Sequence, residues 1–224
     1  MDDAADDLDD LIRRVDPDRW LSSRFIGDPR ARADVIAIYA FDYETGRAPR
    51  TASNPLAGEI RLVWWREVLD EITAGGPVRA HPTAQALIRP IRDHRLPVAD
   101  FERMIDARYR ELDPAPLSAD EAVALARDTA GAVAGLAVLR LDPAADPLDA
   151  EPAGEVWALS RHDGGDGDIR RKLEQAKRAV RHLPVSAFPA VAHASLAKVY
   201  ARGVDPSDLG KRLRLTAAVV LGRI

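Results

Sequence analysis

The 224-residue chain contains no cysteine, which excludes disulfides, thiolate catalysis and cysteine metal sites but leaves its redox compartment undetermined. It also lacks a strong excess of charge of either sign. The net charge is -4, so neither composition nor charge indicates nucleic acid as a partner. Hydrophobic residues at 46% and charged residues at 30% are typical of a globular protein that can bury one sizeable core.

Several catalytic patterns are missing as well. The five histidines lie far apart, without the spacing of a zinc site on a helix. No glycine-rich phosphate loop follows a strand, and no Gly-x-Ser-x-Gly elbow is present. These absences remove most nucleotide-binding and hydrolase interpretations. Alternating strand patterns and internal repeats are also absent, which favours an all-α protein.

Long hydrophobic runs are lacking too. The most apolar windows, 130–139 and 216–221, are far shorter than the roughly 20 residues that cross a bilayer, so no transmembrane helix is expected. The N-terminus is acidic and does not resemble a signal peptide. We therefore expect a cytoplasmic protein with a single domain over 1–224, in which 1–16 form an acidic N-terminal segment.

The most informative feature of the sequence is an apolar stretch that is followed by the acidic residue Asp42. The positions before it are apolar nearly all round a helix, at Val35, Ile36, Ile38, Tyr39 and Phe41. This pattern predicts a buried helix from Pro29 to about residue 44, capped by Asp28. Asp42 then lies at the end of a core helix, where its carboxylate must be paired, hydrated or bound to a cation. A loop is predicted over 46–55 because of its Gly, Pro, Ser and Asn residues.

A second apolar helix is predicted from Leu56 to about Thr73, ended by Gly75 and Gly76. It carries two neighbouring apolar stripes and is therefore expected to lie deep in an all-α bundle. Its sequence Gly-Glu-Ile-Arg-Leu-Val-Trp-Trp-Arg-Glu-Val-Leu over 58–69, together with Ala-Ile-Tyr-Ala-Phe-Asp over 37–42, resembles the squalene/phytoene synthase family. The resemblance spans about 17–141 and resumes weakly from 184. It implies an all-α, isoprenoid-synthase-like helical bundle, shortened in its second half.

The resemblance also implies the residues of a site. In this family a DxxxD motif holds Mg²⁺, which bridges carboxylates to prenyl diphosphates. By resemblance, Asp42 and Glu44 are the candidate catalytic residues and Asp42 the candidate metal ligand. The candidate substrate-binding residues are Tyr39, Arg47, Arg61, Trp65 and Arg108, although core packing or surface ion pairs explain such side chains equally well.

Two departures from the family pattern put this chemistry in question. The position four residues after Asp42 is Gly46, and Glu44 lies roughly 200° round the helix from Asp42. Residues 142–168 read as a loop-rich replacement of the second aspartate-rich region. There Asp163, Asp166 and Asp168 do not match a metal loop, and His162 beside Asp163 reads as a loop pair. Asp42 is therefore expected to pair with Arg47, Arg61 or Arg108.

Three hypotheses follow. The first is a family member that has lost prenyltransferase activity, a pseudoenzyme similar to the complex I assembly factor branch, which binds a protein partner or an isoprenoid-like lipid and needs no cofactor. The second is an active head-to-head prenyltransferase of isoprenoid biosynthesis that uses Mg²⁺. The third is a lipid-binding module in peripheral contact with a membrane, such as the inner membrane. The sequence leaves the oligomeric state open.

Overall fold

The computed structural model describes residues 2–161 and 166–224, and in these residues the chain forms twelve α-helices and no strand. The predicted all-α class is confirmed. The helices are α1 (Asp2–Val15), α2 (Pro17–Ser23), α3 (Pro29–Arg50), α4 (Pro55–Ala74), α5 (Pro82–Ile88), α6 (Val98–Arg108), α7 (Ala119–Ala126), α8 (Ala132–Leu141), α9 (Glu151–Ser160), α10 (Asp166–Ala179), α11 (Ala197–Tyr200) and α12 (Asp208–Leu221).

Helix α3 is the centre of the bundle. It packs against α1, α4, α5, α6 and α8, which explains why its sequence is apolar nearly all round. Tyr39 and Phe41 are the largest of its fully buried side chains. The helix begins as the sequence predicted, because the Asp28 carboxylate accepts hydrogen bonds from the backbone N–H groups of Arg30 and Ala31 at 3.0 and 3.3 Å.

Helix α3 is longer than predicted, and the predicted loop over 46–55 is wrong in its first half. The helix continues through Gly46 and Pro49 to Arg50. Glycine and proline normally interrupt helices, but here Thr45 and Ala48 are buried against neighbouring elements and stabilise the extra turn. Gly46 therefore lies on the same helix face as Asp42, one turn further on.

Helix α4 has the predicted length, but it is less deeply buried than predicted. Leu62, Trp65 and Leu69 are buried, whereas Ile60 and Val63, which belong to the other apolar stripe, are 61% and 41% exposed. Both stripes were expected to lie deep in the bundle, and only one faces the core throughout. The left-handed Gly75, at φ 77°, ends the helix as expected.

The segment Ala119–Leu141 is one continuous helical run in which a π-helical turn over Arg127–Gly131 joins α7 to α8. Its length and mean hydropathy of 1.5 would suffice to cross a membrane, but 61% of its most apolar window is buried in the protein. This burial is typical of a core helix. A Cβ atom on Gly131 would lie 3.2 Å from the backbone oxygen of Glu151, so a neighbouring helix approaches closely at this glycine.

The neighbour at Gly131 is α9, which lies inside the segment 142–168 that the sequence suggested was loop-rich. Ala153, Val156 and Trp157 of α9 are buried in the core, and Gly154 contacts the backbone of Ala130 directly. The second half of the chain thus supplies a core helix where the sequence indicated only irregular structure. The helix is only ten residues long and has few large apolar residues, so its sequence signal did not outweigh the glycines that follow it.

Candidate functional site

The candidate site is built around Asp42, whose carboxylate accepts hydrogen bonds from two arginines. Arg19 of α2 donates from Nη1 to Oδ2 at 2.6 Å, and Arg108 of α6 donates from Nη2 to Oδ1 at 2.7 Å. The side chains of Asp42, Arg19 and Arg108 are 12%, 3% and 7% exposed. Each oxygen of Asp42 therefore has its own guanidinium partner, in a place where water has little access. Of the three arginines that were expected to pair with Asp42, only Arg108 does so.

Two further carboxylates complete the cluster from outside. Glu111 accepts a hydrogen bond from Nη1 of Arg108 at 2.8 Å, and Asp16 lies 3.4 Å from Nη1 of Arg19. Both arginines are thus shared between Asp42 and a second acid. The result is an alternating chain of charges, Asp16–Arg19–Asp42–Arg108–Glu111, in which the guanidinium groups separate the carboxylates.

Gly46 makes this arrangement sterically possible. A Cβ atom at Gly46 would lie 3.1 Å from Nη2 and 3.2 Å from Cζ of Arg108. The guanidinium of Arg108 thus occupies the space next to Asp42 on the same face of α3 where the second acid of a DxxxD motif would extend its side chain. The second acid is not merely missing, because an arginine stands in its place.

The electrostatics agree with this geometry. Burial by itself raises the pKa of Asp42, but the positive charges of Arg19 and Arg108 and their hydrogen bonds outweigh burial, and the pKa lies below its usual value. Asp16 differs, because burial outweighs its attraction to Arg19 and Arg161 and raises its pKa. Asp42 is therefore held ionised by its arginine partners.

Arg19 connects Asp42 to a group of buried aromatic residues. Its guanidinium carbon lies 4.5 Å from the centre of the Trp157 ring and 5.4 Å from that of Tyr39. The ring of His193 packs edge-on against Trp157 at 4.9 Å. Burial, with Arg19 and Arg161 nearby, holds the pKa of His193 well below its usual value, so the imidazole is neutral.

Several polar atoms of this group have no hydrogen-bond partner among the described residues. They are Nε and Nη2 of Arg19, Nε of Arg108, the hydroxyl of Tyr39 and both ring nitrogens of His193. Buried polar atoms are nearly always hydrogen-bonded in folded proteins, so a cluster of unpartnered ones calls for an explanation. Such a cluster is typical of a region that accommodates water or a polar ligand.

The residues present do not fit the Mg²⁺ that the fold family implies. Mg²⁺ demands near-octahedral oxygen ligation, and both carboxylate oxygens of Asp42 already accept hydrogen bonds from arginine. In the part of the chain that the structure describes, no three His, Asp or Glu side chains come together as a metal site. The positive charges of Arg19 and Arg108 beside Asp42 also oppose the approach of a divalent cation.

The other residues that the sequence suggested do not join Asp42. Glu44 accepts a weak hydrogen bond from Arg47 at 3.4 Å, and Arg61 donates to the hydroxyl of Thr51 at 2.7 Å on the surface. Trp65 is 4% exposed and packs edge-on against the Phe41 ring at 5.3 Å. These four side chains have structural contacts, and only Tyr39 and Arg108 of the proposed substrate-binding set lie at the arginine cluster.

Sequence reasoning did not identify Arg19, Trp157 and His193. Arg19 lies 23 positions before Asp42, and Trp157 and His193 come from the second half of the chain, so only the tertiary fold brings these residues together. One local signal was available for Arg19. It lies in the first turn of a short helix capped by Asp16, between the acids Asp16 and Asp18 and the aromatic Trp20.

The predicted acidic loop can be followed only in part. His162 and Asp163 lie outside the described residues, as does the side chain of Asp166. Asp168 lies inside α10, not in a loop, and pairs with Arg171 at 2.5 Å. A cavity of about 450 Å³ lies elsewhere, between α10 and the end of α11, lined by Ile169, Arg170, Leu173, Glu174, Lys177, Lys198, Ala201 and Arg202.

The family model for squalene/phytoene synthases matches residues 12–162, which include the whole of α2 to α9 and every member of the Asp42 cluster. The chain belongs to the squalene/phytoene synthase family. The match extends beyond the region in which the sequence motifs were evident, and it covers α9.

Among curated proteins, the chain is similar to complex I assembly factor 6 of Bos taurus, with 27% identity over 104 residues, and to its Dictyostelium discoideum homolog, with 26% over 100 residues. These alignments cover 46% and 45% of this chain but only 31% and 28% of the relatives. Among solved structures, a ligand complex of a dehydrosqualene synthase superposes with a TM-score of 0.76 at 16% identity, covering 98% of this chain and 96% of that one. This likeness confirms the isoprenoid-synthase-like fold.

Proposed function

We propose that this chain is a non-catalytic member of the squalene/phytoene synthase family that acts as a binding or assembly factor. Its ligand is a protein partner or an isoprenoid-like lipid, and it needs no metal cofactor. The observation that carries the proposal is the guanidinium of Arg108, which fills the space beside Gly46 and bonds to Asp42 at 2.7 Å. A prenyltransferase of this family needs that space for a carboxylate that holds Mg²⁺.

A second arginine cluster on the same helix supports a structural role for Asp42. Asp34, two turns earlier on α3, is 1% exposed and bonds to Arg89 at 2.7 Å and Arg140 at 2.5 Å. No motif of the family resemblance includes Asp34. The chain therefore uses paired arginines to neutralise a buried aspartate at a position unrelated to the family's chemistry, and Asp42 has the same kind of environment.

The curated relatives support the assembly role. The Bos taurus and Dictyostelium discoideum proteins are named for the assembly of complex I, and they match this chain over nearly half of its length. We extend that role to this chain as a proposal, with a component of the NADH dehydrogenase complex as the protein partner. The proposed location is the cytoplasm, next to the inner membrane.

Incubation of the purified protein with farnesyl or geranylgeranyl diphosphate and Mg²⁺ tests the loss of catalysis. We expect no release of pyrophosphate above that of an Asp42→Asn variant, which keeps the shape of the side chain. Release that Asp42→Asn abolishes would establish the competing hypothesis, an active head-to-head prenyltransferase.

A cellular experiment tests the assembly role separately. Deletion of the gene should lower the amount of assembled NADH dehydrogenase complex on native gels, and expression of the wild-type chain should restore it. Glu44→Gln should restore it equally, because Glu44 makes only a weak contact with Arg47. Normal assembly in the deletion strain would contradict the proposal. Mass spectrometry of lipids extracted from the purified protein distinguishes an isoprenoid-like ligand from a purely protein partner.

A further inference from the structure

Helix α12 has an outward face that the protein does not cover. Only Lys211, Leu215 and Ala218 of this helix are buried, and they face the rest of the protein. On the opposite side Leu209, Leu213 and Val220 are 66%, 63% and 75% exposed. With 3.6 residues per turn these three positions fall within about 40° of one another, so they form one straight apolar stripe.

Arginines border this stripe. Arg212 lies next to the stripe on one side, Arg214 lies on the other side between the stripe and the buried face, beside the exposed Leu221, and Arg223 follows directly after the end of the helix. All three arginines are exposed, and none is paired with a carboxylate among the described residues. Elsewhere in the chain exposed arginines such as Arg127 and Arg171 are paired with acids. The stripe and its borders thus combine unpaired positive charge with uncovered apolar surface.

Positive and negative charges are distributed unevenly along the chain, with the positive excess in the part that contains α12. Residues 166–224 contain 12 of the 32 Lys and Arg residues but only five of the 36 Asp and Glu residues, a net charge of +7. The preceding residues carry -11. The basic end therefore complements an anionic surface, and the acidic remainder is repelled by such a surface, which orients the molecule.

We propose that the outward face of α12 docks on an anionic lipid bilayer. The apolar stripe enters the boundary between headgroups and acyl chains, and Arg212, Arg214 and Arg223 lie at the level of the lipid phosphates. This inference rests on α12 and on the charge of residues 166–224, and it stands independently of the proposed function. It gives the membrane contact expected from the sequence a particular surface.

The size of the face favours a bilayer over a second copy of the chain. A helix of 14 residues is about 21 Å long and about 10 Å wide, so the face offers roughly 200 Å². A stable protein interface needs about 800 Å² on each partner. A bilayer has no such threshold, because the apolar side chains insert one by one and the arginines add electrostatic attraction.

Sedimentation of the full chain with vesicles tests the proposal. We expect binding to phosphatidylcholine vesicles that contain phosphatidylglycerol and little binding to pure phosphatidylcholine. Raising the salt from about 0.1 M to about 1 M, which shortens the Debye length from about 10 Å to about 3 Å, should release the protein. Equal binding to both kinds of vesicle, or binding that salt does not weaken, would overturn the proposal.

Variants locate the surface. Leu213→Asp should lower the partition onto anionic vesicles by about tenfold or more, because a charge then replaces the centre of the stripe. A triple variant Arg212→Gln, Arg214→Gln and Arg223→Gln should lower it similarly without any change in the apolar surface. The matched control is Ile60→Asp on α4, where Ile60 is 61% exposed among charges of both signs. Loss of binding in Ile60→Asp, or full binding by the α12 variants, contradicts the assignment.

Analytical ultracentrifugation tests the alternative occupant. A dimer that Leu213→Asp dissociates, in a protein that does not bind vesicles, would show that a second copy covers α12 and would overturn the proposal. A monomer that binds anionic vesicles supports it. The exposed substitutions should leave the thermal unfolding curve unchanged, and the triple arginine variant gives an independent test if Leu213→Asp unfolds.

Discussion

Asp34 and Asp42 lie eight residues apart on α3, and each bonds to two arginines, yet their surroundings differ. At Asp34, Arg89 is 39% exposed and no buried polar atom of the three side chains lacks a partner among the described residues. At Asp42, both arginines are almost fully buried and retain unpartnered N–H groups, next to unpartnered atoms of Tyr39 and His193. The Asp34 cluster is a completed structural contact, whereas the Asp42 cluster keeps unused hydrogen-bonding capacity.

This difference bears on what each cluster can bind. The region around Asp42 is lined by buried polar groups, as a binding cavity would be. The negative charge of Asp42, however, is neutralised by Arg19 and Arg108. Binding of a neutral or weakly polar molecule remains compatible with such a region, whereas binding of Mg²⁺ does not. The following predictions separate the two clusters experimentally.

The largest effect is expected when the aspartates are removed. Asp42→Ala leaves Arg19 and Arg108 buried without their common partner, which should lower the free energy of unfolding by about 3–5 kcal/mol. Asp34→Ala should lower it less, by about 1–3 kcal/mol, because Arg89 can return to water. Unfolding in urea measures both values. A carboxylate retained for catalysis at the expense of stability would behave in the opposite way, since its removal would be neutral or stabilising.

The second-largest effect is a pH dependence of stability that arises from His193, in the buried group next to Arg19. The pKa of His193 is lower in the folded protein than in the unfolded chain, so the unfolded state binds more protons below the ordinary value of 6.5. Stability should therefore fall as the pH decreases from about 7 to about 5, by at most about 1.4 kcal/mol per pH unit. His193→Phe should remove this slope.

The variant comparison isolates His193 from other groups. Asp16, whose pKa is raised, contributes with the opposite sign but is present in both proteins, so its effect cancels in the difference. The exposed His182 provides the control, and His182→Gln should keep the wild-type slope. Identical slopes for the wild type and His193→Phe would contradict a neutral, buried imidazole beside Arg19.

A smaller effect is expected at Gly46. Gly46→Ala places a methyl group 3.1 Å from Nη2 of Arg108, which is fixed by Asp42 and Glu111, and should lower stability by about 1 kcal/mol. In an Arg108→Ala background the same substitution should raise stability by up to about 1 kcal/mol, because only the helix propensity of alanine remains. A double-mutant cycle in urea measures this change of sign. Equal effects in both backgrounds would mean that Arg108 does not occupy the space beside Gly46.

Much of the fold followed from the sequence, and the reasons are physical. The 3.6-residue periodicity identified α3 and α4, and the cost of burying an unpaired carboxylate led to the expectation that an arginine pairs with Asp42, with Arg108 one of three candidates. The predicted end of α3 was wrong, because tertiary burial of Thr45 and Ala48 outweighs the local tendency of Gly46 and Pro49 to end a helix. Local propensity is a weak guide wherever packing opposes it.

The rest of the site could not be predicted for a different reason. Arg19 approaches Asp42 from α2, and Trp157 approaches Arg19 from α9, so their proximity depends on how distant helices pack. Helix α4 posed a related difficulty. It carries two adjacent apolar stripes, and its sequence does not indicate which of them faces the core, so the exposure of Ile60 was missed.

The smallest effect concerns the hydroxyl of Tyr39, which is buried and has no partner among the described residues. Tyr39→Phe removes a desolvated polar group and should raise the free energy of unfolding by up to about 1 kcal/mol. Ser22→Ala is the matched control, because the equally buried hydroxyl of Ser22 donates to the backbone oxygen of Pro189 at 2.7 Å, and its loss should lower stability by about 1 kcal/mol. Destabilisation of both variants to the same extent would show that Tyr39 has a bound partner, and the contrast between the Asp42 and Asp34 clusters would then lose one of its supports.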